Sequence, residues 1–144
     1  MEENLRERIL IIDDKPLVLR SLVRVIRGPY DIDTATNLGE AKELLSKNSY
    51  SVVVSDNNIS GKNTNDGLGL FQELSVGNHP AARYLLSGKE VEYERLRGKA
   101  HAFSGKPVDV SRLRALTRGL STRQTETGNG VLVYLEETSL LEQI

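Results

Sequence analysis

The segment Tyr50-Ser-Val-Val-Val-Ser-Asp56 constrains this chain most: an uninterrupted run of apolar and β-favouring residues ends in an acid followed by Asn57-Asn58. A run without polar alternation reads as a strand buried on both faces, the situation in a parallel sheet covered by helices. Asp56 then stands at the carboxyl end of that strand, the edge of open α/β sheets where ligands collect. Arg8-Ile-Leu-Ile-Ile-Asp13-Asp14 repeats the pattern, with four aliphatics and then two acids.

Around these two runs the chain alternates strand and helix signals. Lys15-Pro16 opens an amphipathic helix with Leu17, Leu19, Leu22, Val23, Val25 and Ile26 on its apolar stripe and Arg20, Arg24 and Arg27 off it; Gly28-Pro29 ends it. Residues 30–35 read as a short strand, and Asn37 as the cap of a helix carrying Ala41, Leu44 and Leu45. After the Val strand, a polar loop over 59–67 leads to a helix over 68–74 with Asp66 as its expected cap. Residues 83–87 form a fourth strand, Val91, Tyr93 and Leu96 a short charged helix stopped by Gly98, and residues 100–103 a fifth, weak strand. Gly105-Lys106-Pro107 turns into a last helix over 110–120. Five βα repeats predict an α/β fold, a doubly wound five-stranded parallel sheet with helices on both faces and right-handed crossovers.

At 144 residues the chain accommodates one domain, read as 1–120, followed by a linker and short extension over 121–144. The extension carries an apolar stretch at 131–135 and an acidic, leucine-bearing end. It reads as an element packed on the domain, a handle for dimerisation or a partner, or the stub of an output domain. A net charge of −1 with 27% charged residues argues against nucleic-acid binding through a basic face. The absence of cysteine excludes disulfides and thiolate metal sites. The charged amino terminus is unlike a signal peptide, and no apolar run approaches the ~18 residues of a membrane span, so a cytoplasmic protein without a membrane partner is expected. His79 and His101 lack carboxylates at ligand spacing and are expected at the surface.

In a sheet of this kind the strand ends bring Asp13, Asp14, Asp56, Ser87 and Lys106 to one edge. Any one acid there is as readily a turn former or helix cap, so the argument rests on the set. Clustered carboxylates repel and raise one another's pKa unless a cation lies among them. Oxygen-only donors suit Mg²⁺ rather than a softer metal. Lys106 and Ser87 suit an anionic group carried on a carboxylate. Together these residues describe a site where Asp56 accepts a phosphoryl group while metal and lysine neutralise the developing charge.

The segments 9–16, 51–56, 85–88 and 98–107 resemble, in order, those of the receiver domain of two-component response regulators, of the chemotaxis-regulator type. The resemblance implies a flavodoxin-like sheet of strand order 2-1-3-4-5 and phosphoryl transfer to Asp56 from a sensor histidine kinase or a histidine phosphotransfer protein. It further implies Mg²⁺ held by Asp13, Asp14, Asp56 and the backbone carbonyl of Asn58, with Ser87 and Lys106 on the phosphoryl oxygens. The Lys106-Pro107 bond is expected to be cis, Ser87 and Phe103 to act as a coupled switch, and Gly88 to keep the pocket mouth open. The Asn58 side chain is an amide able to orient a water for hydrolysis of the acyl phosphate.

Such a chain is a signalling domain, with chemistry limited to its own phosphorylation and autodephosphorylation. Its output passes by protein contact through the face around Phe103 and the last two helices, which, like the tail, also offer a homodimer surface. Three features depart from the pattern. Lys15 replaces an acid, Ser60 replaces a proline with a longer loop after it, and the segment between Ser87 and Gly98 is short. Two rival readings are a phosphorylation-independent pseudo-receiver and an aspartate-based Mg²⁺-dependent phosphatase. The phosphatase needs a second acid two residues after its nucleophile, and neither Asp13 nor Asp56 has one.

Overall fold

The computed structural model describes residues 6–60 and 65–122. Five strands form one parallel sheet in the order β2-β1-β3-β4-β5: β1 (Glu7–Ile12), β2 (Tyr30–Ala35), β3 (Val52–Asp56), β4 (Ala82–Ser87) and β5 (Ala102–Gly105). Between and after them run α1 (Pro16–Ile26), α2 (Leu38–Lys47), α3 (Asp66–Val76), the single turn α4 (Tyr93–Leu96) and α5 (Val110–Ser121). The expected fold class and strand order are both present.

Two cores explain why the Val run shows no alternation. Side chains on a strand point to opposite faces in turn. Leu10, Ile12, Val53 and Leu85 pack into a core with Ala41, Leu68, Phe71 and Leu96, the contributions of α2, α3 and α4. Ile9, Ile11, Val52, Val54, Tyr84 and Leu86 form the other with Leu19, Leu22 and Ile26 of α1 and Leu113 and Leu120 of α5. A central strand therefore buries every side chain, and each fully buried aliphatic contributes roughly 1.5–3 kcal/mol.

Helix ends follow local chemistry. Pro16 occupies the first position of α1, where its missing N–H costs nothing. The Asn37 side chain accepts the Glu40 N–H, Glu40 reaches back to the Thr36 N–H, and Asp109 accepts the Arg112 N–H at the start of α5. Gly98 ends the α4 turn at φ 79°, a left-handed conformation that a side chain disfavours.

Three expectations are corrected. Asp66 does not cap α3: it is the first helical residue, and its carboxylate accepts the N–H groups of Ile59 and Ser60, pinning the preceding loop. The fifth strand begins at Ala102, two residues later than expected, and runs on to Gly105. His101 is buried, not at the surface. Its Nδ1 accepts the Arg83 N–H at 2.9 Å while its own N–H donates to the Arg83 carbonyl, so it continues the β4–β5 ladder inward. His79 is half-buried, its Nδ1 accepting the Ala81 N–H. Residues 61–64 of the long loop and the extension over 131–135 lie outside the described residues. No helix among the described residues is long and apolar enough to cross a membrane.

Candidate functional site

Parallel pairing sets every strand's carboxyl end on one edge. Ile12 pairs with Ser55, Asp56 with Leu86 and Ser87 with Gly105, so one further residue along β1 and β5 brings Asp13 and Lys106 to the same level. Asp13 is fully buried, Asp56 nearly so, and Asp14 partly exposed. One carboxylate oxygen from each of the three lies within 4.8 Å of the others.

Lys106 crosses from the end of β5 to meet them. Its Nζ donates to Asp13 Oδ2 at 3.0 Å and lies 3.2 Å from Asp56 Oδ1. Burial alone would lower the lysine pKa, but hydrogen bonding and charge from Asp13, then Asp56, overcome it and hold the group above its ordinary value. For Asp56, burial pushes the carboxyl above the ordinary carboxylate range; Lys106 opposes this, Asp13 adds to it, and the Asn58 N–H opposes it again.

One ammonium among three carboxylates leaves negative charge uncompensated. Asp14 Oδ1 is buried without a hydrogen-bond partner, its neighbouring cation, Lys15 Nζ, standing at 3.8 Å. A buried carboxylate oxygen that accepts no hydrogen bond, close to two other carboxylates and with oxygen donors alone, fits a hard divalent cation such as Mg²⁺.

A cavity of about 500 Å³ opens onto Asp56. Asn58, Ser87, Gly88 and Lys106 line it, and Lys15, Lys89 and Arg95 contribute positive charge to its wall. The Ser87 hydroxyl accepts the Lys89 N–H at 3.1 Å, and the Ser87 carbonyl accepts the Lys106 N–H at 2.8 Å, tying β4 to the lysine turn. A Cβ on Gly88 would meet nothing within 4 Å, so the cavity is open there. The Lys106-Pro107 bond is cis. Phe103 is half-buried against the core shared with α2, α3 and α4. Asp13, Asp14, Asp56, Asn58, Ser87, Gly88 and Lys106 thus lie together at one sheet edge.

Sequence reading missed the scaffold beneath Asp56. Asn57 is buried; its side-chain oxygen accepts the Leu68 N–H, capping α3 from the acceptor strand, and its amide donates to Asn65 Oδ1. Its backbone N–H donates to Leu86 and its carbonyl accepts from Gly67. Gly67 packs directly on this loop: a Cβ there would lie 2.2 Å from the Asp56 carbonyl oxygen. In the sequence Asn57 carries no assigned role and Gly67 reads as the end of a polar loop. Only their three-dimensional neighbours distinguish them.

The sequence profile of the response regulator receiver domain matches residues 9–118. Among curated proteins, none matches by sequence. Similar solved structures include a CheY-like response regulator receiver domain protein from Methanospirillum hungatei JF-1, 20% identical with a TM-score of 0.73 over 86% of this chain and 100% of that one. The signal receiver domain of a putative Luxo repressor protein from Vibrio parahaemolyticus is 16% identical, TM-score 0.75, covering 83% and 93%. The signal receiver domain of an HD domain-containing protein from Pseudomonas fluorescens Pf-5 is 22% identical, TM-score 0.72, covering 83% and 89%. At such identities these structures speak for the fold, and the profile, spanning most of the chain, speaks for the family: this chain belongs to the response regulator receiver domain family of two-component signalling.

Proposed function

We propose that this chain is a phosphoacceptor switch in which Asp56 receives a phosphoryl group from a sensor histidine kinase or a histidine phosphotransfer protein. The reading is carried by one observation: the Lys106 ammonium bridges Asp13 and Asp56 beside an Asp14 oxygen that accepts no hydrogen bond. An Asp56 carboxylate oxygen attacks phosphorus, the bond from phosphorus to the donor's imidazole nitrogen breaks, and the electron pair leaves with the imidazole. Lys106 and Ser87 hold the transferred oxygens, so the charge moved onto Asp56 meets groups already in place. Asp13, Asp14, Asp56 and the Asn58 carbonyl would hold Mg²⁺, which when bound supplies positive charge to the phosphoryl oxygens.

Phosphorylation then biases an existing two-state element through Ser87 and Phe103, and the altered surface is read by a protein partner or a second copy of the chain. Asn58, on the cavity wall, orients the water that removes the phosphoryl group.

Intact mass after incubation with a small phosphodonor and Mg²⁺ tests this. The expected result is one added phosphoryl group in the wild type and none in Asp56→Asn, with beryllofluoride reproducing the spectral change of phosphorylation only in the wild type. Absence of both responses at millimolar Mg²⁺ sinks the reading in favour of a binding module that keeps the fold without the chemistry.

A further inference from the structure

A second cavity, of about 510 Å³, lies between α1 and the carboxyl end of β2, away from Asp56. Leu19 and Val23 line it together with Arg20, Arg24, Arg27 and Thr34, and no carboxylate does. The three arginines recur at spacings of four and three, one face of a helix. All are exposed, and none has a side-chain ion pair or hydrogen bond among the described residues. A row of unpaired guanidinium groups beside aliphatic side chains matches a segment that is both acidic and apolar.

The chain carries such a segment. Residues 131–144 contain Glu136, Glu137 and Glu142, no lysine or arginine, and Val131, Leu132, Val133, Leu135, Leu140, Leu141 and Ile144 as apolar complements. The described chain leaves α5 at Thr122, and α5 packs beside α1, with Arg114 Nε donating to the Val25 carbonyl near the end of α1. From there residues 123–130, fully extended, reach at most about 27 Å, and the 11 residues of α1 rise only about 16 Å. We propose that the groove between α1 and β2 binds the chain's own acidic segment 131–144, the glutamates meeting the arginine row and the aliphatic side chains covering Leu19 and Val23. The inference is independent of the phosphoryl reading.

The chain has no cysteine, so Ser139→Cys in the full-length protein gives a single site for a paramagnetic label. In amide spectra, Arg20, Val23, Arg24 and Thr34 are expected to lose most of their intensity. That loss should be reversed by Arg20→Glu with Arg24→Glu, by Glu136→Gln with Glu137→Gln and Glu142→Gln, and weakened at about 0.5 M salt, where charges are strongly screened. Broadening on another face, or none, overturns the proposal. So does broadening of α1 seen only between spin-labelled and isotope-labelled copies in a mixed sample, which would assign the groove to a second chain.

Discussion

Asp56 and His101 show at the residue scale how burial turns a charge into a stability term of opposite sign. The Asp56 carboxyl is pushed above the ordinary range chiefly by burial, so the folded state holds its proton more tightly than the unfolded chain. Its stabilising contribution is therefore present at pH below the ordinary carboxylate value and is lost as pH rises through the raised one. At neutral pH without divalent cation, Asp56→Asn should accordingly be more stable than wild type, read as a higher denaturant midpoint. Removing the counter-charge acts the other way. Lys106→Met leaves Asp13 and Asp56 unpaired and should cost about 3 kcal/mol, the scale of a broken buried pair. His101 is depressed to about 4, first by burial and then by the Arg83 charge. Its contribution is complete above the ordinary imidazole value and disappears as pH falls toward 4, amounting to ~3 kcal/mol. Unfolding curves between pH 4 and 7 should show that loss in wild type and not in His101→Gln. An equal pH dependence in both would refute the assignment.

At the scale of elements, the junction between β3 and α3 decides whether Asp56 is held in place. Asn57 supplies a cap to α3, and Gly67 lets the first turn of that helix sit against the Asp56 carbonyl. A methyl group at Gly67 must displace backbone, so Gly67→Ala is expected to cost roughly 2–3 kcal/mol and to weaken Mg²⁺ binding with it. Gly69 lies two residues further along the same helix, where an added Cβ meets nothing within 4 Å. Gly69→Ala should gain about 0.5–1 kcal/mol from helix propensity alone. The pair, compared by thermal unfolding and Mg²⁺ titration, separates close approach from general helix effects. A matched response in the two variants would remove Gly67 from the acceptor scaffold.

Across the whole molecule, the acidic edge is a place where the fold forgoes stability that a ligand can restore. A cation that binds only the folded state stabilises it by about 2.7 kcal/mol at one hundred times its dissociation constant. If Mg²⁺ is that cation, chelation should lower the melting temperature, by an amount that follows the logarithm of the free Mg²⁺ concentration above the dissociation constant. In Asp14→Asn, which removes the charge of a carboxylate whose buried oxygen accepts no hydrogen bond, Mg²⁺ should shift the transition far less. The two cores themselves lie on the faces of the sheet, not at its edge, so Asp14→Asn is expected to retain the cooperative unfolding of the wild type.

The architecture was legible because it is written in local and periodic signals. Continuous aliphatic runs specify strands buried on both faces, helix stripes specify covering layers, and βα alternation leaves little choice of topology. The acids and the lysine could be placed on one edge because parallel strands share an end, whatever their register. What the sequence could not supply was contact across the chain. That Asn57 caps α3, that Asp66 holds the loop rather than the helix, and that Gly67 lies against Asp56 depends on which segments meet after folding. The burial of His101 likewise depends on its pairing with Arg83, 18 residues away. Strand and helix identity come from propensity and period along the chain, whereas burial, capping across elements and charge compensation come from neighbours that only the packed tertiary structure creates.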